Sequence, residues 1–371
     1  MRVRCTWRSL NSRWFAAQTP LRVLFCGTDK FSEPHLRALV QAQRDGKVVR
    51  SVEVLCQQPA SKKHEQSVWR LAKEEKLPLH GLSPKTPFQL PHQAFPDFDI
   101  AVVASFGHKL GDEFIQQFSL GVINAHGSLL PSLRGAAPVQ RAILAGAKRT
   151  GVTYMDILPS SGIDTGDVLK LVPVEIQPTE KSSNLRDRMA RCSADALIDV
   201  LSDIENLRNK ALQQSDVGPN EVEFAEQLSL PKHARRIVRS DGFLDFANET
   251  AAQCFNRFRA VCEWTPVACS LHGKKVVVHD MSLWSNTALD QAEVDSDFAG
   301  ESFAPLDDAP AGTCRLHRKR RALVVKCADG KCVALTQLVL PSRQPQRAAA
   351  FWGGEIKGPG VSPVFSRLTE E

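Results

Sequence analysis

Apolar residues run along this 371-residue chain in two rhythms. Residues 21–27, 48–57 and 99–106 are short, nearly continuous apolar runs, the pattern of strands buried on both faces of a parallel sheet. Ser32-Glu33-Pro34 opens a helix with a capping-type residue and an early proline, and residues 65–76 repeat apolar positions at helical spacing. The alternation continues with a helix at 110–118, a strand through 120–123 into Asn124 and a helix at 136–145. Strands at 150–158 and 168–176 and an amphipathic helix at 184–204 follow. This order predicts an α/β fold, a doubly wound, Rossmann-like parallel sheet over residues 21–207. After Glu205 the rhythm dissolves around Gly218-Pro219-Asn220, so residues 208–232 are expected to link two domains. In residues 233–371, short strand-like runs at 274–279, 322–327 and 332–340 alternate with turn residues and predict a small β-barrel.

Charge adds detail at both ends. The first 20 residues carry Arg2, Arg4, Arg8 and Arg13 among several Ser and Thr, and the first acid of the chain is Asp29. An Arg-rich, hydroxyl-bearing, acid-free leader reads as a mitochondrial transit peptide, which predicts the mitochondrial matrix as destination. Residues 281–310 hold seven acids and no Lys or Arg, an insertion within the second domain. From residue 311 onward eleven Lys or Arg face four acids, most densely at Arg318, Lys319, Arg320 and Arg321. No stretch approaches the roughly 18 apolar residues of a membrane span, so no membrane partner is expected. The ten cysteines show no Cys-x-x-Cys pair and no His-paired spacing, so no metal is expected and the thiols read as small buried hydrophobes. Only Gly27-Thr28-Asp29 follows the first strand, with no phosphate-cradling Gly-rich loop, which excludes a dinucleotide or nucleoside triphosphate as the expected ligand.

The candidate chemistry lies at Asn124-Ala125-His126-Gly127-Ser128-Leu129-Leu130-Pro131 and at Gly162-Ile163-Asp164-Thr165-Gly166-Asp167. Asn124 and His126 are two apart at the end of an apolar run, so on a strand both point from one face, at the edge where α/β sheets bind ligands. A carboxamide donor then sits beside a titratable ring. These two segments, with Arg134-Gly135-Ala136-Ala137-Pro138 between them, resemble the folate-dependent formyltransferase family, and the likeness runs from about residue 21 to about residue 360.

That resemblance implies Asn124, His126 and Asp164 as a catalytic trio, with Asp167 the competing carboxylate. It implies 10-formyltetrahydrofolate as cosubstrate, held by Ser128, Leu129, Leu130 and Pro131 and by Phe106, Gly107 and Lys109 at the end of the neighbouring strand. It implies an oligonucleotide-binding-type (OB-like) barrel as second domain, and methionyl-tRNA as acceptor, contacted at phosphates by Arg318, Lys319, Arg320 and Arg321. A monomer is expected. Bacterial members carry a longer basic loop after the second strand; here residues 57–64 offer only Lys62 and Lys63 as candidate tRNA contacts. The trio alone does not separate a tRNA acceptor from glycinamide ribonucleotide or an amino sugar, and a non-catalytic RNA-binding role is a third reading. The basic barrel and the leader favour tRNA.

Overall fold

The computed structural model describes residues 20–83, 95, 97–218, 229–284, 306–356 and 363–368. The leader up to residue 19, the middle of the expected linker and residues 285–305 of the acidic stretch lie outside the described residues. Two compact units emerge. One comprises residues up to 126, 152–172 and 189–214; the other comprises 127–151, 173–188 and 215 onward.

The chain begins β1 (Leu21–Gly27), α1 (Ser32–Asp45), β2 (Val49–Gln57), α2 (Ser67–Glu74), β3 (Leu79–Leu82), β4 (Ile100–Ala104), α3 (Asp112–Ile115) and β5 (Val122–His126). It continues α4 (Pro138–Leu144), β6 (Arg149–Ile157), β7 (Val168–Glu175), α5 (Ser182–Ser202) and α6 (Ile204–Lys210). The strands form a seven-stranded sheet in the order β3-β2-β1-β4-β5-β6-β7. From β3 to β5 the pairing is parallel, as predicted, but β6 runs antiparallel to β5. The sheet is therefore mixed rather than wholly parallel. Every side chain of β4 is buried, which explains its unbroken apolar run.

One expectation needs correction, and two local details were not foreseen. The helix expected at 110–118 is a single turn, α3, because the Gly121 N–H bonds the Phe118 carbonyl and turns the chain into β5. Its apolar residues Leu110, Phe114, Ile115 and Phe118 are nevertheless all buried in the core with Leu24, Val103 and Val122. The short strand β3 has only four residues, too few for a period to show. The beginning of the expected linker is ordered: α6 covers 204–210, Arg208 forks onto the buried carboxylate of Asp156 at 2.7–3.2 Å, and Leu212 pairs with Val168.

In the second unit α7 (Ala251–Val261) precedes β8 (Val267–Leu271) and β9 (Lys274–Leu283). Then come β10 (Cys314–His317), β11 (Ala322–Lys326), β12 (Cys332–Val339), β13 (Gln346–Arg347), α8 (Ala348–Phe351) and β14 (Phe365–Ser366). The sheet order is β10-β11-β12-β9-β8-β14, antiparallel at each pair and with β13 on β12. Its two ends meet: Thr313 bridges Val364, the Phe365 N–H bonds the Gly312 carbonyl at 2.9 Å and the Cys314 N–H bonds the Pro363 carbonyl at 2.7 Å. Closure leaves no free edge there and makes the expected barrel. Helix α7, absent from the sequence expectation, begins in a capping box between Thr250 and Gln253 and buries Cys254, Phe255, Phe258 and Val261.

Candidate active site

Strand β5 carries Asn124 and His126 on one face, with Asn124 half-buried and His126 buried. It lies between β4, where Val103 pairs with Asn124, and β6, where Met155 and Thr153 pair with Asn124 and His126. A strand hydrogen-bonded on both sides holds its side chains in fixed directions, which a reacting centre requires.

Because β6 runs antiparallel, it ends beside Val122, at the far end of β5 from His126. The loop after β6 must double back to bring a carboxylate to the pair, and three contacts make it do so. The Asp156 N–H bonds the Asp167 carbonyl at 3.0 Å, closing the loop's neck. Gly166 presses against the Asp156 carbonyl so closely that any Cβ there would collide with it. The carboxamide of Gln214, itself buried, donates to the carbonyls of Asp164 and Gly166 at 3.0 and 2.8 Å. Asp164 adopts a left-handed φ of 54°, uncommon for a residue other than glycine.

The predicted trio thereby comes together. Asn124 Nδ2 stands 3.4 Å from Asp164 Oδ1, and His126 Nδ1 stands 3.6 Å from Asp164 Oδ2. The imidazole and carboxylate are 6% and 14% exposed, so both are largely shielded from water. A neutral amide donor, a titratable ring and a carboxylate facing both form a site suited to acyl transfer. The rival Asp167 has its carbonyl in the loop's neck.

Phe106 follows β4 and is buried, while Gly107 and Lys109 are exposed. The β1–α1 turn fixes this segment: Thr28 Oγ1 donates to the Phe106 carbonyl at 3.1 Å and Ser32 Oγ to the Ala104 carbonyl at 2.6 Å. In the Ser128–Pro131 run the side chains of Ser128, Leu129 and Leu130 are buried, and Ser128 Oγ donates to the Ser132 carbonyl at 2.7 Å. These buried side chains build the turn itself. Lys63 is exposed in a single 3₁₀ turn that Lys62 opens. Arg318, Lys319, Arg320 and Arg321 are exposed in the β10–β11 turn, where the Arg320 guanidinium lies 4.7 Å from the centre of the Trp284 ring. Gln214 was not foreseen; it follows the last helical residues of the first unit in polar sequence, and nothing local marks its long-range role. Among the described residues no cluster of three or more His, Cys, Asp or Glu is placed to hold a metal ion, and no helix is long and apolar enough to cross a membrane.

Residues 21–201 match the formyl transferase family and residues 236–355 match the formyl transferase C-terminal domain. The chain is 30% identical over 328 residues to the mitochondrial methionyl-tRNA formyltransferase of Bos taurus, covering 87% of this chain and 75% of that protein. The chain belongs to the methionyl-tRNA formyltransferase family. A bacterial member, from Pseudoalteromonas translucida, is 29% identical over 336 residues, covering 90% of this chain and 94% of its own. The fold is shared with an N-formyltransferase from Helicobacter canadensis solved with folinic acid and dTDP-3-aminofucose, at 12% identity and a TM-score of 0.53 over 85% of this chain and 98% of that one. It is also shared with HypX from Aquifex aeolicus in complex with tetrahydrofolic acid, at 15% identity and a TM-score of 0.51 over 95% of this chain and 51% of that one. The members of this formyltransferase family use 10-formyltetrahydrofolate as formyl donor, and the chain is accordingly a formyl-group transferase.

Proposed function

We propose that this chain transfers the formyl group of 10-formyltetrahydrofolate to the α-amino group of methionyl-tRNA, for translation initiation in the mitochondrial matrix. The observation that carries this reading is the meeting of Asn124, His126 and Asp164 on the face of β5, in a chain matched to the family over both its domains. The basic β10–β11 turn on a closed barrel supports an RNA acceptor over a small one. The mitochondrial relative and the acid-free, Arg-rich leader support the compartment.

In this reading Asn124 donates a hydrogen bond to the formyl oxygen as negative charge builds there, without titrating itself. His126 carries the proton that the incoming amine loses and the departing N10 gains. Asp164 fixes the ring's orientation and favours its charged form while the proton is in transit. The acceptor amine, with a pKa of roughly 7.7–8.0 in model peptides, is partly free base at neutral pH and needs no strong activation. Asp164 in turn is held by Gln214.

The test is direct. Purified chain incubated with 10-formyltetrahydrofolate and methionyl-tRNA should yield formylmethionine by mass spectrometry, and glycinamide ribonucleotide or an amino sugar offered instead should stay unformylated. Formylation of the small amines with none on the tRNA would overturn the acceptor. Protein recovered from mitochondria should begin near Leu21; one still beginning at Met1 would overturn the leader.

A further inference from the structure

A cavity of about 360 Å³ in the second unit holds none of the trio, and its walls are mostly arginine: Arg141, Arg235, Arg257 and Arg367 line it together with Asp241. The wall is built rather than incidental. Asp241 is 5% exposed and accepts from Arg141 at 2.6 and 2.9 Å, from Arg235 Nη2 at 2.8 Å and from the Val238 N–H at 2.9 Å. These donors hold its pKa below the ordinary carboxylate range against the opposing effect of burial, which alone is the largest influence. Arg141 gives two further N–H groups to the carbonyls of Arg235 and Arg236. Arg257 is anchored to Glu249 and to the Asp241 carbonyl. Both guanidiniums are thereby fixed before any guest arrives.

The rim differs from the wall. Arg235 and Arg367 have side chains 62% exposed. Arg235 gives Asp241 one N–H, and Arg367 meets Asp245 only as an ion pair at 3.7 Å. Four guanidiniums face three carboxylates, Asp241, Asp245 and Glu249, so the cavity keeps one surplus positive charge. Besides Arg235, the acid-free segment 232–239 carries Lys232, Arg236 and Arg239. Burial and then the Arg239 charge hold Lys275 below its ordinary value.

We propose that this cavity seats one phosphodiester of the tRNA backbone, gripped by Arg235 and Arg367 at the rim over a floor set by Arg141 and Asp241. The proposal rests on the reading of methionyl-tRNA as acceptor. A guanidinium fork matches two phosphate oxygens, and a single surplus charge matches a singly charged diester. Among the described residues no aromatic ring lines the cavity, so the contact positions the tRNA through its backbone. It adds a second point of attachment to that expected at Arg318–Arg321.

The experiment measures binding of uncharged methionine tRNA to the full chain by fluorescence anisotropy across a potassium chloride series, with the Arg235→Gln/Arg367→Gln double variant beside the wild type. Losing one phosphate contact should flatten the slope of log affinity against log salt by about 0.9 and weaken binding about tenfold at moderate salt. Arg235→Lys/Arg367→Lys should restore most of the slope. A double Gln variant with unchanged slope, folded by circular dichroism, overturns the proposal. So does inorganic phosphate that broadens by ³¹P NMR with the wild type but not with the variant while tRNA binding stays the same, which would mark a free-anion site. Absence of salt-dependent tRNA binding by the wild type would instead remove the acceptor reading on which the proposal rests.

Discussion

His35 sits in α1, fully buried, and acidification should loosen the catalytic sheet through it. Its Nδ1 is 3.0 Å from the Phe31 carbonyl and so carries the proton, while its Nε2 lies 3.1 Å from Ser193 Oγ of α5, whose single hydroxyl proton is shared with the Met189 carbonyl at 2.9 Å. The Ser193 carbonyl accepts from the Tyr154 hydroxyl of β6 at 2.6 Å. Tyr154 pairs with Ala125, between Asn124 and His126. No charge faces the ring, and burial, opposed only in part by the Phe31 bond, pushes its pKa from 6.5 down to about 4. Since the folded value is the lower one, the unfolded chain takes the proton first: stability is intact above about pH 6.5 and falls as pH drops toward 4. At about 1.4 kcal/mol per pKa unit the full loss approaches roughly 3 kcal/mol, of which about 2 kcal/mol is gone between pH 7 and pH 5. Hydrogen exchange of β1 and β4 amides, read at both pH values in wild type and His35→Gln, isolates this group because all other titrations are common to both. The wild type should lose about 2 kcal/mol more opening free energy than the variant. Equal losses, or a His35 ring titrating near 6.5 by NMR in the native protein, would refute the reasoning, and the ring titration decides even if the variant fails to fold.

Asn124→Ala should lose on the order of 10²–10³ in kcat, as removal of an oxyanion donor does, and His126→Ala and Asp164→Asn most of their formyl transfer with tRNA binding kept. A loss confined to the KM for folate would move Asn124 from chemistry to binding. Gln214→Leu leaves two loop carbonyls without their donor, at about 1–3 kcal/mol, and should lower kcat while the KM for tRNA holds; an unchanged kcat would reduce Gln214 to a structural prop. Replacing Arg318, Lys319, Arg320 and Arg321 together with Gln should raise the KM for methionyl-tRNA and flatten its salt dependence, leaving the KM for folate in place. An unaltered salt slope would make that turn a solvated surface only.

What could be read in advance was whatever is written locally. Asn124 and His126 carry their shared face in their spacing, and Asp164 stands in a loop between two apolar runs, its role implied only by the resemblance. The strands β6 and β7 showed as apolar runs. The turn of direction at β6 did not, because both orientations of a buried strand have the same pattern. Gln214 was hidden for a similar reason: a single carboxamide in polar sequence gains its meaning only when α6 and the Val168–Leu212 pairing bring it under the Asp164 loop. Helix α7 went unread: its capping residues Thr250 and Gln253 are a weak local signal, and its buried face mixes Cys, Arg and Ala with Phe, which blurs the apolar stripe. The arginine cavity joins residues 100 apart in sequence, as in the pair Arg141 and Asp241, and no local window contains it.

The closure of the barrel also governs the order in which the protein can be made. Strand β14 bridges β8 and the start of β10, so a ribosome must deliver residues 363–366 before the ring shuts. Until then the nascent barrel presents two open edges, whereas every strand of the first sheet has long since emerged. A premature stop shortly before Pro363 would therefore leave the trio, the Arg318–Arg321 turn and most of the arginine cavity encoded. Its product would nonetheless be an unsealed sheet, prone to pair with its neighbours and to be cleared by proteases.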